Sequence, residues 1–225
     1  MKVYCIIPAW NEASRHSEFA LPRVVEELQD KVDRIVIVED GSDDETYQLS
    51  KDLPVDILRH PVNRGQGAAL KTGTDYALEQ GADIIVHFDA DGQFRVEDIA
   101  GVLEPIREGR ADVVFGSRFI DNTTVMPYMK EKVIMPLARL VNRLIFKIKT
   151  SDPQSGFRAL SRRAAEEIKW KQDAMAHCSE ILILSHRSGL RIIEVPITVL
   201  YPDFGQRLGG GFKILRDMFI SKMNH

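Results

Sequence analysis

Apolar runs of strand length alternate with helical periodicity from the first residues onward. Residues 3–7 are apolar throughout and stop at Pro8, the pattern of a strand buried on both faces. A helix over 19–30 follows, with Pro22 in its first turn. A second strand, 33–39, runs into Asp40-Gly41-Ser42-Asp43, where Ser42 or Asp43 offers an N-cap for a helix reaching about residue 53. After a short strand over 55–58, Asn63-Arg64-Gly65-Gln66-Gly67 opens a helix over 68–80 that Gly81 ends. A fourth strand occupies 83–88, a helix 96–108 despite Pro105, and a fifth strand 111–115 before Gly116-Ser117-Arg118. Strand–helix alternation with short connections predicts right-handed crossovers and an α/β domain, a mainly parallel central sheet flanked by helices.

Beyond Phe119 the rhythm changes. Residues 130–149 predict a long helix whose apolar face (Val133, Leu137, Leu140, Leu144, Ile148) alternates with Arg139, Arg143 and Lys147. Such a face suits packing on the sheet or rest on an anionic membrane surface. Residues 155–161 predict a strand, 180–186 lie in a helix, and 190–200 predict a strand with Pro196. A Gly-rich segment over 203–211 and a helix over 212–223 close the chain. No repeat or linker divides it, so 1–225 reads as one domain: a first half (1–119), a second half (120–200), and the terminal loop and helix (201–225).

Composition narrows this picture little. The 225 residues are 44% hydrophobic and 28% charged, ordinary for a globular protein, and the net charge of −3 supplies no field for nucleic acid. The apolar run from Val3, broken by Pro8 and followed by Asn11 and Glu12, does not read as a signal peptide, and no stretch reaches membrane-span length. Cys5 and Cys178 are far apart and read as free thiols in a reducing cytosol. With no signal peptide read, the Asn122-Thr123-Thr124 sequon is discounted.

The chemistry gathers at the strand ends. Residues i and i+2 of an extended segment point the same way, so Asp89 and Asp91 can present their oxygens to one point. Paired carboxylates there suit Mg²⁺ or Mn²⁺, which in turn clamp a diphosphate; a solvated acidic turn is the plainer alternative. Pro8-Ala9-Trp10-Asn11-Glu12, Asp40-Gly41-Ser42, Asp89-Ala90-Asp91 and Gly116-Ser117-Arg118 all fall at the carboxyl ends of predicted parallel strands. One edge of the sheet therefore carries the polar residues, and open α/β sheets bind ligands at that edge. Trp10 and Glu12 can pack and hydrogen-bond a nucleoside, and Asp40 can accept from a base N–H. Gly65-Gln66-Gly67 resembles a phosphate nest but matches neither the dinucleotide fingerprint nor a P-loop. His60, His87, His177 and His186 lack zinc spacing, and no serine sits in a nucleophile elbow.

Taken together, these stretches resemble the inverting, GT-A type glycosyltransferases of family 2, above all the dolichyl- and polyprenyl-phosphate mannosyl- and glucosyltransferases. The resemblance spans about residues 1–205. Besides the segments above it rests on Ile37 to Thr46, Asn63 to Gly67, Phe88 to Gln93, Gly116 to Phe119, Asp152 to Arg158 and Glu194-Val195-Pro196-Ile197. It implies that Pro8, Ala9, Trp10, Glu12, Val38 and Asp40 hold the nucleoside of a nucleoside-diphosphate sugar, with Gly67 and Ala90 completing the donor side. Asp89, Asp91 and Gln93 would hold the metal and diphosphate, and Arg118 would meet the acceptor's phosphate. The catalytic set implied is thus Asp89, Asp91 and Arg118, the cofactor Mg²⁺ or Mn²⁺, and the acceptor a polyprenyl phosphate reached peripherally from the cytoplasmic membrane face. Asp152, Gln154, Ser155 and Arg158 would shape the acceptor side.

One segment departs from the pattern: the arginine expected just after the seventh strand is unmatched, and Arg207 and Lys213 would supply charge from a closing loop. A phosphate acceptor needs no general base, whereas a hydroxyl acceptor would need one, with Asp152 or Glu180 the candidates. The alternatives are transfer to a saccharide hydroxyl and a nucleotide-binding subunit without turnover. The base, the sugar and any homo-oligomer stay open.

Overall fold

In the computed structural model, residues 1–15, 20–121 and 150–200 are described. Seven strands form one sheet: β1 (Val3–Ala9), β2 (Arg34–Glu39), β3 (Asp56–Arg59), β4 (Ile84–His87), β5 (Val113–Ser117), β6 (Arg158–Ser161) and β7 (Ile192–Pro196), in the order β3-β2-β1-β4-β6-β5-β7. All pairings are parallel except those of β6, which runs antiparallel between β4 and β5. The helices are α1 (Glu12–Arg15), α2 (Ala20–Leu28), α3 (Thr46–Lys51), α4 (Gln66–Glu79), α5 (Ile99–Arg107, entered through a 3₁₀ turn), α6 (Arg162–Glu167) and α7 (His177–Arg187).

The apolar run of β1 follows from its place at the centre. Val3, Cys5, Ile7 and Ala9 join a core with Leu21, Val24 and Leu28 of α2 and Val102 and Leu103 of α5. Tyr4 and Ile6, on the alternate face, join Ala69, Leu70 and Ala77 of α4 and Ile181 and Leu182 of α7. Both sides of the sheet are covered, so no strand position near the middle can be polar without a partner.

Three details differ from expectation. The strand expected over 155–161 is confined to β6, and its direction is reversed: Ile84 pairs with Ser161 and His87 with Arg158. Gly156 and Phe157 therefore arrive at the same edge where the parallel strands end. The helix after β2 starts at Thr46 rather than after Ser42 or Asp43, because Asp44 accepts from the Thr46 N–H (2.9 Å) and hydroxyl (2.5 Å). The strand expected over 190–200 is limited to β7, with Val199 forming a separate bridge to Phe94. The expected helices over 130–149 and 212–223 and the loop over 203–211 lie outside the described residues.

Candidate active site

The carboxyl ends of β1, β2 and β4 enclose a cleft of about 520 Å³. Pro8, Ala9, Trp10, Glu12, Asp40, Asp89, Ala90 and Asp91 contribute to its lining, together with Asn63, Gly65, Gln66, Ala174 and Met175. Val38 is buried within β2, and Gln93 and Gly67 lie outside the lining. Arg207 and Lys213 fall outside the described residues.

The loops after β1 and β2 are tied crosswise. Asn11 adopts a left-handed φ of 54°, tolerable for asparagine. Its Oδ1 accepts from Asp43 N–H (2.9 Å), and its N–H donates to Ser42 Oγ (3.1 Å). The Glu12 N–H donates to Thr46 Oγ1 at 2.8 Å. These bonds fix the backbone that carries Trp10 and Glu12 into the cleft. Glu39, though acidic and adjacent, is fully buried and accepts from Ser42 N–H and Arg59 Nε, which makes it a staple of the turn.

Asp40 is more committed than expected. Its Oδ1 accepts from His60 Nδ1 (2.6 Å) and Arg64 N–H (3.0 Å), and its Oδ2 accepts from Gly65 N–H (2.7 Å). The nest-like segment Gly65-Gln66-Gly67 is engaged by the chain itself. The Gly67 and Ala68 N–H groups donate to Asp173 O at 2.7 and 3.2 Å, and Gly67 O accepts from Trp170 Nε1 at 2.9 Å. A Cβ on Gly67 would collide with the Gln172 carbonyl, and one on Gly65 with that of Asp173. The glycines thus admit the 172–173 backbone rather than a phosphate, and Gly67 offers a ligand no backbone donor.

At the end of β4, Asp89 and Asp91 face the cleft together. Burial first, and then the charge of Asp91, push the Asp89 carboxyl up to about 8. Gln66 Nε2 donates to Asp89 Oδ1 at 2.8 Å, and Asp91 Oδ1 accepts from Gln93 N–H at 2.9 Å. Hard oxygen donors that repel one another fit a divalent cation of the Mg²⁺ or Mn²⁺ type, which would remove the repulsion. A Cβ at Gly156 would stand 2.9 Å from Asp89 Oδ2, so β6 must enter here without a side chain.

Below the pair lies a charge cluster that the sequence did not reveal. Arg158 is fully buried and donates from Nη2 to Cys178 Sγ (3.2 Å) and from Nε to Gly156 O (3.2 Å). Burial pushes the Cys178 thiol up, but His177 and then Arg158 outweigh it and bring the group to about 6. The positive charge of Arg158 also opposes the rise at Asp89. Gln66 and Arg158 both sit in stretches quoted above, yet only the antiparallel entry of β6 and the start of α4 bring them to Asp89.

At the end of β5, Arg118 does not stand open. Its Nε and Nη2 meet Asp152 Oδ2 and Oδ1 at 2.5 and 2.6 Å, a bidentate pair with side chains 11% and 0% exposed. Glu194, in β7, holds the turn bearing Asp152: its Oε1 accepts from Thr150 Oγ1 (2.7 Å), Ser151 N–H (3.0 Å) and Asp152 N–H (3.2 Å). Glu180 is committed elsewhere, its Oε2 accepting from the Lys171 and Gln172 N–H groups at 3.0 and 2.8 Å.

Residues 4–169 match the sequence profile described as Glycosyl transferase family 2. The chain is 37% identical to UDP-N-acetylglucosamine--dolichyl-phosphate N-acetylglucosaminyltransferase of Methanococcus voltae, over 98% of this chain and 96% of that protein. It is 29% identical to the polyprenol monophosphomannose synthase of Mycolicibacterium smegmatis, over 95% of this chain and 83% of the other. Among solved structures, glucosyl-3-phosphoglycerate synthase from Mycobacterium tuberculosis, in complex with Mn²⁺, UDP and glucosyl-3-phosphoglycerate, shares the fold. The TM-score is 0.74 at 18% identity, covering 97% of this chain and 79% of that one.

Proposed function

Because the chain belongs to glycosyl transferase family 2 and has the GT-A fold, it is a glycosyltransferase, and we propose that it moves a sugar from a nucleoside-diphosphate sugar to a polyprenyl or dolichyl phosphate. The observation that supports the acceptor assignment is the commitment of Asp152 and Glu180, the two carboxylates the sequence offers as a general base. Asp152 is held in the fork of Arg118, and Glu180 caps the 171–172 backbone. A hydroxyl acceptor needs such a base; a phosphate monoester is already anionic near neutral pH. The name of the Methanococcus voltae relative specifies dolichyl phosphate, and that of the Mycolicibacterium smegmatis relative a polyprenol phosphomannose.

The transfer is an in-line displacement with inversion. A phosphate oxygen of the acceptor bonds to the anomeric carbon as the bond to the donor's β-phosphate breaks, and the nucleoside diphosphate leaves. Trp10, Glu12 and Asp40 wall the nucleoside, GDP-linked or UDP-linked. Asp89 and Asp91, joined by Gln93, would hold Mg²⁺ or Mn²⁺, which when bound neutralises charge on the departing diphosphate. Arg118 receives the acceptor's phosphate by exchanging Asp152 for it, a planar fork meeting oxygens in either case. Access to the lipid is peripheral, from the cytoplasmic face. Among the described residues no helix is long and apolar enough to cross a membrane.

Thermal melts with UDP or GDP, each with Mn²⁺, Mg²⁺ or a chelator, test the donor side. A nucleotide at 100 times its Kd adds about 2.7 kcal/mol, and the chelator should remove that gain. Transfer to a short polyprenyl phosphate, and none to the corresponding polyprenol, is the expected acceptor result. Absence of any nucleotide-induced shift refutes the donor reading, and transfer to the polyprenol refutes the acceptor reading.

A further inference from the structure

The mechanism gives no task to His60, yet this side chain makes the shortest contact to Asp40 in the cleft wall. It follows β3, is 6% exposed, and places Nδ1 2.6 Å from Asp40 Oδ1 and Nε2 2.9 Å from Thr72 Oγ1 on α4. A ring nitrogen that close to a carboxylate oxygen carries the proton and donates it, which leaves Nε2 to the threonine hydroxyl. The loop does not need the imidazole to hold Asp40, because the Arg64 and Gly65 N–H groups already bind it at 3.0 and 2.7 Å. The effect of His60 therefore falls on the carboxylate: how it is turned, and how many of its lone pairs are taken.

Counting those lone pairs makes the point specific. An ionised carboxylate offers about four acceptor positions and no donor. Oδ1 gives its two to His60 and Arg64, and Oδ2 gives one to Gly65. One acceptor position on Oδ2 remains, on a residue that lines the cleft. A base read by this carboxylate should offer one N–H. Uracil does so at N3, between two carbonyls; guanine offers N1–H and an N2 amino group side by side and asks for two acceptors at once.

We infer that His60 is a positioning residue that occupies one lone pair of Asp40 and so tunes the cleft to uridine rather than guanosine diphosphates. The inference rests on the cleft being the nucleoside-diphosphate site. Thr72 supports it at one remove by fixing the outer nitrogen of the ring. His60→Ala would return an acceptor to Oδ1 and make the carboxylate a better match for guanine.

The test is calorimetric titration of UDP and of GDP, each with Mn²⁺, into the full chain and into His60→Ala, His60→Asn and Thr72→Val. The wild type is expected to bind UDP about 10-fold or more tightly than GDP, the scale of one mismatched buried hydrogen bond. His60→Ala should lower that ratio by about 10-fold, whereas His60→Asn, whose amide nitrogen takes the Nδ1 position, should keep it within about threefold. Thr72→Val should lower it in the same direction by roughly threefold, and it keeps the test alive if the alanine variant does not fold. A merely structural histidine would weaken both nucleotides together and leave the ratio unmoved. That result, or a wild type that favours GDP, overturns the inference while leaving the donor site in place. Binding of neither nucleotide to the wild type overturns the donor site and the inference with it.

Discussion

The proposed donor and acceptor sides of this edge handle charge in opposite ways. On the first side Asp89 is buried with Asp91 beside it, and burial first, then the Asp91 charge, hold the Asp89 carboxyl up. On the acceptor side the charges are already matched, Arg118 to Asp152, in a buried bidentate pair. In the proposed reaction the first arrangement would be completed by an incoming cation. The second admits an incoming anion only by exchange. On that reading a single sheet edge would prepare one half of the reaction by tension and the other by a stand-in.

Removing the tension should have the largest effect. Asp91→Ala is expected to lower turnover by at least about 100-fold and to abolish Mn²⁺-dependent nucleotide binding, as activity assays and calorimetry would register. The same site predicts a pH effect of defined sign. The folded Asp89 group sits at about 8 against an ordinary value of 3.8, so its contribution to stability is complete at low pH and is lost as pH rises through about 8. Melting temperatures of the chelated protein should fall across that window, and Mn²⁺ should reverse the fall by taking the proton's place.

On the other side, Arg118→Ala should lower transfer by roughly 100-fold while leaving nucleotide affinity near its wild-type value, and Arg118→Lys should not restore it. Retained transfer in Arg118→Ala would erase the distinction between the two sides. Asp152→Asn addresses stability: breaking the buried pair should cost about 3 kcal/mol, measurable by urea unfolding. The smallest effect is expected at Gly67→Ala, where displacing the 172–173 backbone should cost about 2 kcal/mol in the same assay. An unperturbed variant there would mean that this backbone does not press on α4.

The comparison also shows what the sequence could and could not convey. The strand ends were legible because an apolar run interrupted by Pro8, or by Asp40-Gly41, leaves a local signature. Asp89 and Asp91 were legible because a period of two needs only neighbouring residues. The direction of β6 was not, since a four-residue strand reached after a long connection carries no mark of which neighbours it will pair with. The glycines of 65–67 are ambiguous for a related reason. Permission for close approach looks the same in sequence whether the approaching group is a phosphate or the Asp173 carbonyl. His60 lacked metal-ligand spacing, and its bond to a carboxylate 20 residues away follows no periodicity. The roles of Arg207, Lys213 and the basic helix over 130–149 stay with the sequence expectation, outside the described residues.

The partly occupied start of α4 bears on which anions can compete in a cell. A helix whose first amides are open attracts phosphate and sulfate indiscriminately. Here the Gly67 and Ala68 amides are taken by Asp173, so two of the first amides of the helix extend no such invitation. Bare inorganic phosphate, however abundant, meets carboxylates instead. The cleft should therefore favour anions that arrive as metal chelates, and occupancy should follow the supply of divalent ion as well as that of the nucleotide.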